Sequence, residues 1–288
     1  MNDDILKKIR HIQIATKRIL SGSMIGDSRS AFKGSGYEFD QIREFQLGDD
    51  VRYIDWKSSA RLQKLLMKQY IEERSRTIIL AIDVSSSAFF SSADSSRWES
   101  FQKIASVLSL VAEYSKDQVS LILFSDKIDF FIPPGKGHSH VYLIMNKIFE
   151  WKRKKSHTSF TPVLRHLAQM NRRDGVVFLI SDFLVEKQES LFAVIARMYD
   201  IIAIRSLDKY EKVIPSVGFL PVEDVETGES FLLDTRGRNN ISLQKYLEYR
   251  LEDQNKFFKK YRIDCFDINN PKTLISDIIC FFRRRMMY

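Results

Sequence analysis

The chain has 288 residues, 44% hydrophobic and 28% charged, with a formal net charge of +8. That profile suits one large α/β domain with elaborations. Two cysteines, Cys265 and Cys280, make neither a disulfide framework nor a CxxC pair, which points to a reducing compartment. The amino-terminal stretch is interrupted by Asp3, Asp4, Lys7, Lys8 and Arg10, unlike a signal peptide, and no apolar run approaches the ~18 residues needed to cross a membrane. The expectation is a cytoplasmic protein with no membrane span. Its positive charge suits an acidic partner without by itself arguing for nucleic acid.

Residues 3–20 space Ile5, Ile9, Ile12 and Ile19 as one face of an amphipathic helix. Residues 21–60 read as an irregular segment, in which Gly22, Gly26, Gly34, Gly36 and Gly48 punctuate acids, arginines and aromatics that pair to fix a loop. Its Gly-x-Gly follows no predicted strand and opens no helix, so it is no dinucleotide fingerprint. Leu65–Ile71 and Thr77–Ile82 read as strands, joined through Glu72, Glu73 and Arg74 as a hairpin leading into the central sheet.

Thr77–Ile82 is a continuous apolar or β-branched run, the pattern of a strand buried on both faces. It stops at Asp83, with Ser85 and Ser87 at alternate positions beyond. Open α/β sheets place ligands at such carboxyl ends, and a carboxylate with two hydroxyls supplies hard oxygens of the kind Mg²⁺ prefers.

A helix over 96–115 follows, then strands at Val119–Phe124 and Ile128–Ile132, the second antiparallel and at an edge, closed by Pro133-Pro134-Gly135. Val141–Trp151 reads as a helix and Lys152–Lys155 as a solvated basic loop, with a contact to an acidic partner or a nucleic acid as the alternative. Thr161 is placed to cap a helix beginning at Pro162. Gly175–Ile180 is another apolar strand that runs through Ser181 into an aspartate, Asp182. A helix at 188–199, a strand at 201–204, a β-hairpin insertion near 213–234, a long helix at 241–261, a strand at 262–268 and a helix at 271–285 complete the reading. The alternation predicts a doubly wound, mostly parallel α/β sheet with helices on both faces. Asp83 and Asp182 then share one edge. The predicted division is an extension over 1–71, comprising a helix and an irregular β-rich segment, and a main domain over 72–288.

Asp83-x-Ser85-x-Ser87, with Thr158 in a loop and Asp182 after a strand, resembles the metal-ion-dependent adhesion site of von Willebrand factor A domains. The resemblance implies that Ser85, Ser87 and Thr158 contact Mg²⁺ (or Mn²⁺) directly, while Asp83 and Asp182 support it through waters. Thr161 is the alternative to Thr158. Gly34-x-Gly36-x-Glu38-Phe39, Arg43-Glu44-Phe45, Gly48-Asp49-Asp50-Val51-Arg52, Ile54-Asp55-Trp56, Ser59-Ala60-Arg61, Glu73-Arg74, Phe124-Ser125, Ser181-Asp182-Phe183 and Glu226-Thr227-Gly228 together resemble the von Willebrand A-like domain-of-unknown-function family number fifty-eight. The likeness runs from about residue 20 to the end. It implies a metal-dependent adaptor that is not an enzyme, its partner a MoxR-type AAA+ ATPase or that ATPase's client. The chain departs from many A domains at Ala88-Phe89-Phe90, where a glycine or methionine commonly follows the last serine.

Other chemistries fit less well. A haloacid-dehalogenase-type phosphatase wants a second acid where Ser85 stands, and a serine hydrolase wants a Gly-x-Ser-x-Gly turn that the chain lacks. His138, His140 and His157 match no common zinc spacing. The remaining alternatives are a metal-free strand end, a metal-independent scaffold that binds through residues 32–61, and a metal-dependent phosphoesterase.

Overall fold

The computed structural model describes residues 37–286 except 47–48, 73–75, 91–95, 171–174, 186–187, 209–210, 212, 224–227 and 269–272. The expected helix at 3–20, the glycines at 22, 26, 34, 36 and 48, Glu73-Arg74 and the turn residues Glu226-Thr227 lie outside the described residues. The chain divides into two compact units between Arg76 and Thr77.

In the smaller unit, β1 (Tyr37–Glu44) pairs antiparallel with β2 (Leu66–Glu72). This corrects the expected hairpin between Leu65–Ile71 and Thr77–Ile82. The partner of β2 is the strand inside the segment read as irregular, and β3 belongs to a different sheet. Between the paired strands the acids serve as caps and counter-ions. Asp49 takes both Arg43 amino groups at 2.7 Å and accepts from Gln46 N, which fixes the chain after β1. Asp50 caps the turn at Val51–Tyr53, and Asp55 accepts from Ser58 N to start α1 (Trp56–Leu62).

In the larger unit a six-stranded sheet has the order β10-β7-β6-β3-β4-β5, formed by β3 (Thr77–Asp83), β4 (Gln118–Phe124), β5 (Ile128–Gly135), β6 (Gly175–Ser181), β7 (Asp200–Ser206) and β10 (Asp264–Ile268). All neighbours are parallel except β4–β5. The antiparallel edge strand runs on through Pro133 and Pro134, residues that a sheet tolerates only where no further ladder is needed. A separate hairpin, β8 (Phe219–Glu223) with β9 (Ser230–Asp234), forms the insertion between β7 and β10.

Alternate residues of β3 face opposite layers. Ile78, Leu80 and Ile82 pack with α2 (Arg97–Tyr114), α3 (His138–Glu150) and α7 (Leu274–Met286). Ile79 and Ala81 pack with α4 (Phe160–Met170), α5 (Glu189–Met198) and α6 (Gly237–Lys260). Each fully buried Ile, Leu or Phe of these layers stabilises the fold by about 1.5–3 kcal/mol relative to exposure. α2 also buries serines. Ser106 and Ser109 survive there because each hydroxyl donates to the carbonyl four residues back, at 2.7 and 2.8 Å.

The chain starts at the centre of the sheet with β3, moves out through β4 and β5, then crosses to β6 on the other side of β3. The order reverses between β3 and β6, and a crevice opens at the carboxyl ends of strands flanking such a reversal. Asp83 ends one of these strands and Ser181 the other.

Candidate functional site

Register builds the site. Ile82 lies level with Ile180, so Ser181 comes level with Asp83, and its hydroxyl donates to Asp83 Oδ2 at 2.8 Å. On the other side Asp83 is level with Phe124, whose carbonyl accepts from Val84 N at 2.8 Å and carries the ladder one residue past the strand. The chain then turns at Ser85, whose amide donates to Asp83 Oδ1 at 2.9 Å, and continues as a 3₁₀ turn over Ser86–Phe89. This turn brings the Ser85 and Ser87 hydroxyls to 3.1 Å from one another.

The third hydroxyl comes from the 151–159 loop. Ser86 N donates to the Ser156 carbonyl, Ser156 N donates to Ser86 Oγ at 3.2 Å, and Ser159 N donates to the Ser125 carbonyl at 3.0 Å. Pinned at Ser156 and Ser159, the loop presents Thr158, whose hydroxyl donates to Ser85 Oγ at 2.7 Å. Thr158 is therefore the threonine that the structure brings to Ser85 and Ser87. Thr161 lies in the first turn of α4, which begins at Phe160 rather than Pro162. The expected cap at Thr161 is corrected: Ser159 takes that role, its hydroxyl accepting from Thr161 N at 3.4 Å.

Asp182 follows β6. The next residue, Phe183, has φ of 57°, a left-handed conformation costly for a bulky side chain. Surrounding contacts hold it there. The ring stacks on Phe160 and meets Phe258 edge-on, and the carbonyl accepts from Gln254 Nε2 at 2.7 Å. The reversal buries Phe183 in one layer while Asp182 stays at the sheet edge.

Asp182 meets a residue that the sequence reading passed over. Arg97 Nη1 lies 2.6 Å from Asp182 Oδ2 and 3.0 Å from the Ser87 carbonyl, while Nη2 lies 2.6 Å from Glu211. The Arg97 and Asp182 side chains are 3% and 2% exposed, so this is a buried ion pair. A local signal for it existed. Arg97 stands in the first turn of α2, next to its cap Ser96, where a cation faces the positive end of the helix dipole and needs outside acids to settle it.

Asp83 has no such answer. It is 1% exposed, and its partners are the Ser85 amide and the hydroxyls of Ser85 and Ser181. Burial, followed by repulsion from Asp182, pushes its carboxyl up to about 7. A buried carboxylate met by neutral donors alone either keeps a proton or takes up a cation.

The donors fit a hard, oxygen-loving divalent ion: three clustered hydroxyls above one unpaired carboxylate, with a second carboxylate at the neighbouring strand end. Among the described residues no three of His, Cys, Asp or Glu converge as a metal cluster. The histidines weighed for zinc are engaged apart from one another, His138 with Glu113 at 2.9 Å and His140 with the Val119 carbonyl at 2.8 Å. Cys265 is no ready nucleophile, since burial pushes its thiol up to about 12.

A family model described as "Protein of unknown function DUF58" matches residues 41–250. The chain belongs to this family. The matched span of DUF58 takes in the smaller unit from Gln41, both strand-end aspartates, Arg97 and the Thr158 loop. An uncharacterized protein of Mycobacterium bovis is 25% identical over 240 residues, covering 81% of this chain and 75% of its own. Among solved structures, an aerotolerance-related membrane protein from Bacteroides fragilis aligns with TM-score 0.47 and 13% identity over 73% of this DUF58 chain and 100% of its own. The conserved hypothetical protein BatB from Bacteroides thetaiotaomicron aligns with TM-score 0.46 and 15% identity over the same shares. No described helix is long and apolar enough to cross a membrane.

Proposed function

We propose that the chain is a metal-dependent protein-interaction module and not an enzyme. Ser85, Ser87 and Thr158 would hold Mg²⁺ (or Mn²⁺), Asp83 and Asp182 would supply supporting charge, and the bound ion would supply a Lewis acid with a position for a partner's carboxylate. The observation that carries this reading is the meeting of three hydroxyls from two loops, 2.7 and 3.1 Å apart, beside a buried carboxylate with neutral partners only. The resemblance to von Willebrand A domains, which implies the same five residues as a metal site, supports the reading. Arg97 then acts as a fixed internal counter-ion: it neutralises part of the charge of Asp182 and leaves Asp83 the stronger electrostatic call on a cation.

The non-enzyme reading rests on placement. Asp83 is the group whose carboxyl sits near neutrality, yet both its oxygens are engaged and it lies beneath the hydroxyls, poorly placed to take a proton from a bound molecule. For the partner, the family resemblance points to a MoxR-type AAA+ ATPase or its client. The test is capture of a purified MoxR-type ATPase by the chain in Mg²⁺ and in EDTA. Capture should require Mg²⁺ and fail with the Ser85→Ala/Ser87→Ala variant. Full capture by that variant in EDTA would overturn the reading.

One observation favours a second reading, a metal-independent scaffold acting through residues 32–61 and their surroundings. In the smaller unit Val51, Trp56, Leu62 and Leu65 are all exposed, Trp56 by 67%. Large apolar side chains grouped on so small a unit mark a contact surface. Under this reading Trp56→Ala abolishes capture and EDTA does not.

A further inference from the structure

We propose that residues 152–155 form a docking rim for an acidic protein segment, so that the partner brings several carboxylates, one for the metal and others for this loop. The inference rests on the metal-dependent reading above. Lys152, Arg153, Lys154 and Lys155 are four successive cations, all exposed. Such a run is ordinarily just a solvated face. Its place sets this one apart. The next residue, Ser156, exchanges two hydrogen bonds with Ser86 in the turn that carries Ser85 and Ser87, and Thr158 touches Ser85. With ~3.8 Å between successive Cα atoms, all four cations lie within about 15 Å of Ser156 along the chain.

The rim is also largely unanswered. Lys154 is in use, 3.7 Å from Asp129 and 4.6 Å from the centre of the Trp151 ring. Lys152, Arg153 and Lys155 have no acid at salt-bridge distance among the described residues, although the Lys155 ammonium reaches the β8–β9 turn, 4.0 Å from where a Cβ would stand on Gly228. An acidic segment reaching the hydroxyl cluster would pass these three side chains and exchange their solvation for paired charge, an attraction that steers encounter and fades with salt. A nucleic acid fits less well. The neighbouring aromatic, Trp151, is half-buried and covered by Lys154, so it offers no free ring for base stacking.

Fluorescence anisotropy with the full chain tests this. The probes are a hexaglutamate peptide, a Gly/Ser peptide carrying a single Glu, and oligodeoxythymidylate, each in Mg²⁺ and in EDTA. They are measured against wild type and a Lys152→Ser/Arg153→Ser/Lys155→Ser variant that spares Lys154. Hexaglutamate should bind wild type about tenfold tighter than the single-Glu peptide at low salt, the sum of three weak exposed pairs. The variant, unchanged in melting temperature, should lose that advantage. Equal affinity of the two peptides, an undiminished advantage in the variant, or preference for oligodeoxythymidylate would each overturn the rim. Variant-sensitive binding that ignores EDTA would support the rim and end the metal reading. EDTA-sensitive binding that ignores the variant would keep the metal reading and end the rim.

Discussion

A carboxylate buried among neutral donors holds a proton more tightly than the same group in the unfolded chain. Asp83, pushed from its ordinary 3.8 to about 7, is in that position. Between those two values the folded state binds more protons than the unfolded state, so stability falls as pH rises from about 4 to about 7. In EDTA, thermal melts of wild type should therefore show a lower midpoint at pH 8 than at pH 5, after comparison with Asp83→Asn, which removes the titrating group. At pH 8 the Asn variant should melt above wild type. Arg97 gives the opposite lesson. Replacing it with Met leaves Asp182 buried and Glu211 beside it with no cation, and breaking a buried pair in this way costs about 3–5 kcal/mol. Chemical denaturation of Arg97→Met should read that loss, with Arg97→Lys losing less.

At the scale of elements, the site is a product of strand ends and one pinned loop. Ser86 is fully buried and spends its hydroxyl on Ser156 N, so Ser86→Ala should cost about 0.5–1.5 kcal/mol. It should also open the 152–159 loop to limited proteolysis while the sheet stays resistant. Much of this level was legible in the sequence. The strands β3 and β6 announce themselves as apolar runs that stop at an aspartate, and β5 as an antiparallel edge strand, although it runs on through Pro133 and Pro134 to Gly135 instead of stopping at Ile132. What stayed hidden was pairing at long range. Leu66–Glu72 carries nothing that says its partner lies at Tyr37–Glu44 rather than Thr77–Asp83, because a strand pattern fixes its faces and not its neighbour. Arg97 and Asp182 stand 85 positions apart, and only register and topology bring them together. Thr158 could be ranked above Thr161 from its loop position, but the hydrogen bonds of Ser156 and Ser159 that aim it are tertiary.

For the whole molecule, the sheet order places its reversal between the two strands that end in Asp83 and Ser181, which puts the candidate site where α/β sheets open a crevice. The smaller unit adds a second, chemically different surface of exposed apolar residues. We propose that the first of these is a metal site. Isothermal titration of Mg²⁺ into wild type and into Ser85→Ala/Ser87→Ala, both buffered at pH 8 so that Asp83 is mostly ionised, puts that claim to the most direct test. Wild type should give weak, saturable heat that disappears in the double variant. No heat from wild type, or the same isotherm from both proteins, would contradict it.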